Sequence, residues 1–384
     1  MSRKPFVCVP VLLSLVFFLA ALVPTCLAQP ARWTEQRAND WYAQQPWLVG
    51  SNYIPATAIN QLEMWQADSF DPQRIDLELG WAEAIGLNAM RVFLHDLPWQ
   101  EDALGFQKRI DTFLTIAAKH HIRILFVLFD SVWDPQPHLG KQRGPTPGVH
   151  NSGWVQSPGA AALRDLSQSP RLETYVKGVV GAFAKDERVL GWDVWNEPSN
   201  TNVPAYNVNE PPNKKEIVRE LLPKVFAWGR EAGATQPLTS GLWEGGNYAN
   251  PEKLDPIAKI QFEQSDVLSF HNYGKPSAFE KQARQLQKFH RPVICTEYMA
   301  RPRKSTFEGI LSIAKANKVG AINWGLVAGK TQTYLPWDSW KKPYVGARQP
   351  KVWFHEIFHT DGQPYRQEET DLIRRLTQTN AAAK

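Results

Sequence analysis

The run Ile122-Arg123-Ile124-Leu125-Phe126-Val127-Leu128-Phe129 is apolar at all but one of its eight positions. A strand with one wet face alternates apolar and polar residues; a near-continuous apolar run belongs in a parallel sheet covered on both faces. Parallel neighbours need long crossovers, normally helices, and this chain supplies them in alternation almost to its end. Trp47–Tyr53 reads as the first strand. Asp71 and Pro72 then open a helix as N-cap and N1 residues, with Ile75, Leu79 and Ala82 at helical spacing. Asn88–Leu94 is the second strand, and Phe106, Ile110, Phe113, Leu114 and Ala117 form the inner face of the next helix.

After the 122–129 strand comes a Pro/Gly-rich loop from Ser131 to about Gln168, then a helix over Arg171–Ala184. Further strands are expected at Val189–Glu197, Pro237–Leu242, Asp266–His271, Pro292–Glu297 and Val319–Leu326. Helices over Lys214–Ala232 and Thr306–Ala316 intervene, and one over Lys351–His359 closes the fold. Eight strand–helix units in one chain of this length describe an α/β protein of a single domain, a (β/α)8 TIM barrel over residues 29–365 with a C-terminal tail from 366 to 384. An open doubly wound sheet is the alternative, but its Gly-rich first turn is missing. The long loops after Phe129, Glu197 and Leu326 all follow strand C-terminal ends, where barrel sites lie.

The first 28 residues read as a secretory signal peptide: Arg3 and Lys4, an apolar stretch from Val9 to Val23, and small residues up to Ala28. The stretch is short for a membrane span and carries Pro24 near its end. The expectation is a protein secreted or held in a periplasm, with no membrane attachment once cleaved. Val23-Pro24-Thr25-Cys26 fits a lipoprotein site poorly. Cleavage would leave Cys295 as the sole cysteine, so no internal disulfide holds the fold. Cys295 reads as a packed core residue; strand alternation places it on the face of Glu297, away from any evident base. The net charge of +5 includes Arg3 and Lys4 and is dispersed, which argues against a nucleic-acid partner.

Two glutamates stand out. Glu197 closes the apolar run Val189–Val194 through Trp195-Asn196-Glu197-Pro198, and Glu297 closes Pro292–Thr296. In a barrel they sit at the ends of strands four and seven, on near-opposite walls of one pocket. Two carboxyls across a pocket suit glycosidic bond cleavage, one protonating the leaving oxygen and the other attacking the anomeric carbon. Their environments must then differ, so that one is neutral and the other ionised at the same pH.

With Cys295-Thr296-Glu297-Tyr298, Arg91 and His271-Asn272-Tyr273 in this order, the chain from about Trp47 to His359 resembles glycoside hydrolase clan A, and most of all the cellulase family, glycoside hydrolase family 5. The resemblance implies that Glu197 is the acid/base and Glu297 the nucleophile, and that Asn196 holds a sugar 2-hydroxyl. Arg91 matches the family's arginine beside the nucleophile, where a fixed cation lowers a carboxyl pKa. His271 and Tyr273 match its His-x-Tyr pattern, with the tyrosine hydroxyl near the nucleophile, and Trp324 matches the tryptophan floor of the sugar subsite. Trp133, Trp154, Trp243, Trp337 and Trp340 fall in loops after strands and are candidates for further sugar stacking.

The pattern departs from the family at the end of strand three. A histidine is common there, whereas this chain has Phe129-Asp130; His95-Asp96 after Arg91 is also unusual. Asp130 and His95 are therefore expected to shape a substrate site of their own. The implied reaction is retaining hydrolysis of a β-linked glucan, mannan or xylan type of oligo- or polysaccharide, by a monomer with no cofactor and no metal. Alternatives are an exo-acting galactosidase- or mannosidase-like clan A enzyme and a carbohydrate-binding barrel without catalysis. A metal-dependent barrel hydrolase would need ligands that the first strand, ending Asn52-Tyr53, does not offer.

Overall fold

A computed structural model of the 384-residue chain describes residues 1, 2, 4, 5, 31–202 and 205–378. The expected leader falls almost wholly outside the described residues. Eight strands form one sheet: β1 (Val49–Tyr53), β2 (Ala89–Phe93), β3 (Arg123–Asp130), β4 (Val189–Asn196), β5 (Leu238–Thr239), β6 (Leu268–His271), β7 (Val293–Glu297) and β8 (Gly320–Trp324). Helices α1 (Glu35–Ala43), α2 (Gln61–Trp65), α3 (Pro72–Ala84), α4 (Asp96–Glu101), α5 (Ala103–Lys119) and α6 (Ala160–Arg164) belong to the first half. Helices α7 (Ser169–Ala182), α8 (Lys214–Glu231), α9 (Pro256–Gln264), α10 (Pro276–Gln287), α11 (Phe307–Ala316) and α12 (Gln367–Gln378) follow.

The sheet order is β5-β4-β3-β2-β1-β8-β7-β6, and every pairing is parallel. Closure between β5 and β6 runs through a parallel bridge from Leu242 to Phe270, with Leu242 N–H donating to Ser269 O and His271 N–H to Leu242 O. The chain is thus a closed (β/α)8 barrel, as the alternation implies. Strand five is shorter than Pro237–Leu242, because regular pairing with β4 stops at Thr239.

Strand alternation sorts the core into two. Leu48, Ala89, Leu125, Leu190, Val267, Ile294 and Ile322 fill the lower barrel interior, and Trp41 and Tyr42 of α1 pack beneath them. The opposite set, including Met90, Val92, Phe126, Trp192 and Phe270, joins the helix faces in the main core. Going up the interior from Ala89, Leu190 and Ile294, the next inward positions are polar: Arg91, Asp193 and Glu297. The barrel is plugged at its N-terminal end and charged at the other.

Three expectations require correction. Cys295 does not share a face with Glu297: the β6–β7 register slips, pairing Phe270 with Cys295 but His271 with Glu297. The extra residue, Thr296, leaves Cys295 in the main core beside Phe270 and Tyr298. The 351–359 segment is not a helix, because its carbonyls are taken by Arg301: Phe354 O accepts from its backbone N–H, and Trp353, His355 and Glu356 carbonyls accept from its guanidinium. The closing helix is instead α12, within the expected tail. Its buried Glu369 grips the same Arg301 at 2.5 and 2.8 Å, while Leu372 and Ile373 face the core.

Candidate active site

Arg91 is the centre of the site. Its side chain is fully buried on β2, and its guanidinium donates five hydrogen bonds. Nε and Nη2 bond Asp193 Oδ2 at 3.0 and 2.7 Å, and Nη2 also bonds Asn196 Oδ1 at 2.7 Å. Nη1 bonds Asn52 Oδ1 and Glu297 Oε1, both at 2.8 Å. A buried guanidinium requires such saturation. One cation thereby ties the ends of β1, β2, β4 and β7 into a single rigid unit.

Glu297 also accepts from the Tyr273 hydroxyl, at 2.7 Å to Oε2. Glu197, one residue beyond β4, adopts a left-handed φ of 43°, an unfavourable conformation for a side chain of this kind and one that clusters at functional sites. Its Oε2 accepts from Asn200 at 2.8 Å and its Oε1 lies 3.1 Å from His271 Nδ1. His271 Nδ1 is 3.5 Å from Glu297 Oε2. Carboxylate oxygens of the two glutamates and a ring nitrogen of His271 all lie within 4.8 Å of one another.

Burial raises both carboxyls, Glu197 to about 7. Only Glu297 bonds directly to the guanidinium and to a phenol hydroxyl, and both bonds favour its charged form against burial. Burial lowers His271 to about 4, so the ring is neutral at neutral pH and Nδ1–H donates to Glu197. The glutamates and the histidine would also suit a cation by donor type, but the guanidinium already bound to Glu297 opposes a second positive charge there.

The pair opens into a cleft of about 410 Å³. Of the residues singled out from sequence, Asn196, Glu197, His271, Tyr273, Glu297, Trp133, Trp243 and Trp324 line it, and so does Trp337. Arg91 lies beneath the floor. Asp130 does not reach the cleft. It is 1 % exposed and accepts from Asn196 Nδ2, Trp154 Nε1, Gln61 Nε2 and Val132 N–H. Burial pushes it up to about 7 against those donors, and its role is to orient Asn196. With Oδ1 held by Arg91 and one amide hydrogen held by Asp130, Asn196 has one N–H left for a ligand.

His95 is likewise no part of the cleft: it is fully buried and caps α4, its Nδ1 accepting from Leu97 N–H. Trp154 packs edge-on against Phe93 at 5.1 Å, and Trp340 lies behind Trp133 at 5.0 Å, so neither is a free platform. Sequence reasoning missed Asn200, His150, Asn151, Glu244 and His355, all of which line the cleft. Asn200 carries a local signal, three residues after Glu197. The others come from irregular loops that have no periodicity to read.

A barrel with a carboxyl pair at the C-terminal ends of β4 and β7 belongs to the class of glycoside hydrolases. Residues 148–330 match the family model of cellulase, glycosyl hydrolase family 5, and that similarity supports a glycoside hydrolase. Comparison with curated proteins gives no match.

Solved structures with this fold include GH5_18 from Streptomyces cattleya in complex with GlcNAc, at TM-score 0.55 and 11% identity, covering 88% of this chain and 81% of that one. The exo-β-1,4-mannosidase Op5Man5 from Opitutaceae bacterium strain TAV5 aligns at TM-score 0.56 and 17% identity, over 87% and 60% of the two chains. The endo-1,4-β-mannanase from Rhizomucor miehei aligns at TM-score 0.56 and 12% identity, over 88% and 96%.

Proposed function

We propose that this protein is a retaining β-glycosidase that works by double displacement, with Glu297 as nucleophile and Glu197 as acid/base. The observation that carries the proposal is the separation of the carboxyls. One oxygen of each carboxyl lies within 4.8 Å of the other, a spacing that suits direct attack across carboxyls about 5–5.5 Å apart better than the roughly 6.5–9.5 Å that an inverting enzyme needs for its water.

Glu297, ionised beside Arg91, attacks the anomeric carbon, and the bond to the leaving oxygen breaks as protonated Glu197 gives that oxygen its proton. The glycosyl ester removes the charge on Glu297. With that repulsion gone, the Glu197 pKa falls and it takes a proton from the water that attacks the ester. Asn196 offers its remaining N–H to the 2-hydroxyl, a contact that strengthens in the transition state. Trp324 gives the sugar an apolar face.

For the substrate we propose a β-linked oligo- or polysaccharide, with β-1,4-mannosides tried first because the mannosidase and mannanase above share the fold, and glucan and xylan series beside them. The working unit is a monomer, exported through its N-terminal leader. The test is a panel of aryl β-mannosides, β-glucosides, β-xylosides and β-galactosides with wild type and Glu297→Ala. Hydrolysis by wild type and none by the variant is expected. Equal activity in both, or silence of folded wild type on the whole panel, would sink the proposal.

A further inference from the structure

We infer that the cleft is blind at its glycone end, so that the enzyme removes a single sugar from the non-reducing end of its substrate and does not cut within a chain. The inference rests on the retaining-glycosidase reading.

Among the described residues, the cleft is lined from the ends of β3 to β8, and no lining residue comes from the loops after β1 and β2. Over those two strands the barrel mouth is roofed. Trp154, from the loop after β3, sits on Phe93 of β2 and on Trp324, and beneath it remains a cavity of only about 20 Å³. Residues of the loop after β8, including Thr331, Thr333 and Glu356, line its other side.

These two loops are joined along their length. Asn151 N–H donates to Thr331 O at 2.7 Å, His150 N–H to Ser339 Oγ at 2.9 Å, and Gly148 N–H to Gln332 Oε1 at 3.0 Å. Tyr344 N–H donates to Gly148 O, His150 Nδ1–H to Leu335 O, and Gln332 Nε2 to Thr146 O. His150, Asn151, Thr331 and Ser339 are all buried. Six such bonds make a wall rather than a flap.

The wall is on the glycone side. Glu197 must face the leaving oxygen, so the aglycone lies beyond it, where Asn200, Trp243 and Glu244 line the mouth. The sugar attacked by Glu297 then lies over Trp324, and a ring of side chains encloses that place. Tyr273 stands 5.1 Å from Trp337 and 5.6 Å from His355, and His355 stands 5.5 Å from His150 and 6.5 Å from Trp324.

The enclosing residues offer acceptors. Asn151 Oδ1 is buried without a hydrogen-bond partner, on a residue 2 % exposed that lines the cleft and holds a φ of 48°. Such a group is costly to leave unpaired. His150 and His355 spend Nδ1–H on the carbonyls of Leu335 and Met299, and burial keeps both rings neutral, so Nε2 on each is an acceptor. Three acceptors around one ring match the hydroxyls of a terminal sugar remote from its anomeric carbon. An internal ring has one of those hydroxyls substituted by the next sugar, which would have to pass through the wall.

The experiment follows reducing-end-labelled manno-, cello- and xylotetraose, each β-1,4-linked, with and without O4-methylation of the non-reducing terminal sugar. The trisaccharide is expected as the first labelled product from the unblocked members of the accepted series. The methylated form should resist cleavage and bind Glu297→Ala at least about a hundredfold more weakly, by calorimetry. Asn151→Gly, which keeps the left-handed backbone, should lose about tenfold in kcat/KM on the aryl monoglycoside with an unchanged melting temperature. A labelled mono- or disaccharide as first product, or cleavage of the blocked substrate at the unblocked rate, would overturn the blind end while leaving the glycosidase intact. Failure of all three series to be cut or bound would overturn both.

Discussion

Replacing Glu197 by Gln should abolish turnover and yet stabilise the fold, by an amount that grows with pH. Burial moves this carboxyl from its ordinary 4.5 to about 7, and its side chain is only 14 % exposed. Between those two values the unfolded chain has released the proton while the native protein keeps it, so native stability falls as pH rises from 4.5 to 7. The stability is fully present below 4.5 and lost once the folded value is passed. At about 1.36 kcal/mol per unit, the loss is roughly 3 kcal/mol by pH 8. Glutamine has nothing to release.

The substituted amide must re-sort its hydrogen bond with Asn200, a cost of about 1 kcal/mol that does not depend on pH. Glu356 is also raised to about 7 by burial, but it titrates alike in both proteins and cancels in the difference; Asp130, likewise raised to about 7, loses a small upward push from the Glu197 charge in the variant, which adds to the difference in the same direction. Urea unfolding of both proteins at pH 4, 5, 6, 7 and 8 gives that difference directly. It should be slightly unfavourable to the variant at pH 4 and favour it by about 2 kcal/mol at pH 8. A difference that stays flat across the series would refute the claim that Glu197 is held neutral by burial.

The same carboxyl sets the upper limb of activity: kcat/KM should fall about tenfold per pH unit above roughly 7, as Glu197 loses the proton it must donate, and a wild-type pH–rate profile checks it. Tyr273→Phe removes a donor at 2.7 Å from Glu297; kcat should fall about 10- to 100-fold, and the acidic limb should move to higher pH, since Glu297 loses a bond that favours its charge. Glu369→Ala leaves Arg301 buried without its carboxylate and should cost about 3–5 kcal/mol in denaturant unfolding, as α12 comes off the barrel.

The barrel was legible because covered parallel strands leave a signature in composition. Ile122–Phe129, apart from Arg123, and Val189–Val194, apart from Asp193, are apolar on both faces, and the helices between strands carry period-3.6 stripes such as Phe106, Ile110 and Phe113. The glutamates were legible because charge at the end of such a run is costly. What failed depended on contacts distant in sequence. Nothing near residue 355 tells that Arg301 will take its carbonyls, so a helix was expected there, and the polar Gln367-Glu368-Glu369-Thr370-Asp371 concealed α12. Strand alternation misplaced Cys295, because one slipped residue at Thr296 moves every later side chain to the other face. Asp130 sits at the right strand end for a ligand contact, but only the structure shows Asn196, Trp154 and Gln61 consuming its oxygens.

The central claim is that Glu297 forms a covalent bond to the sugar, and the stereochemistry of the product tests it most directly. Proton NMR of the hemiacetal during the first turnovers of an aryl β-glycoside, before mutarotation sets in, should show the β-anomer appearing first, through two inversions at one carbon. The α-anomer appearing first would mean a single displacement by water, and would contradict both the mechanism and the role given to Glu297.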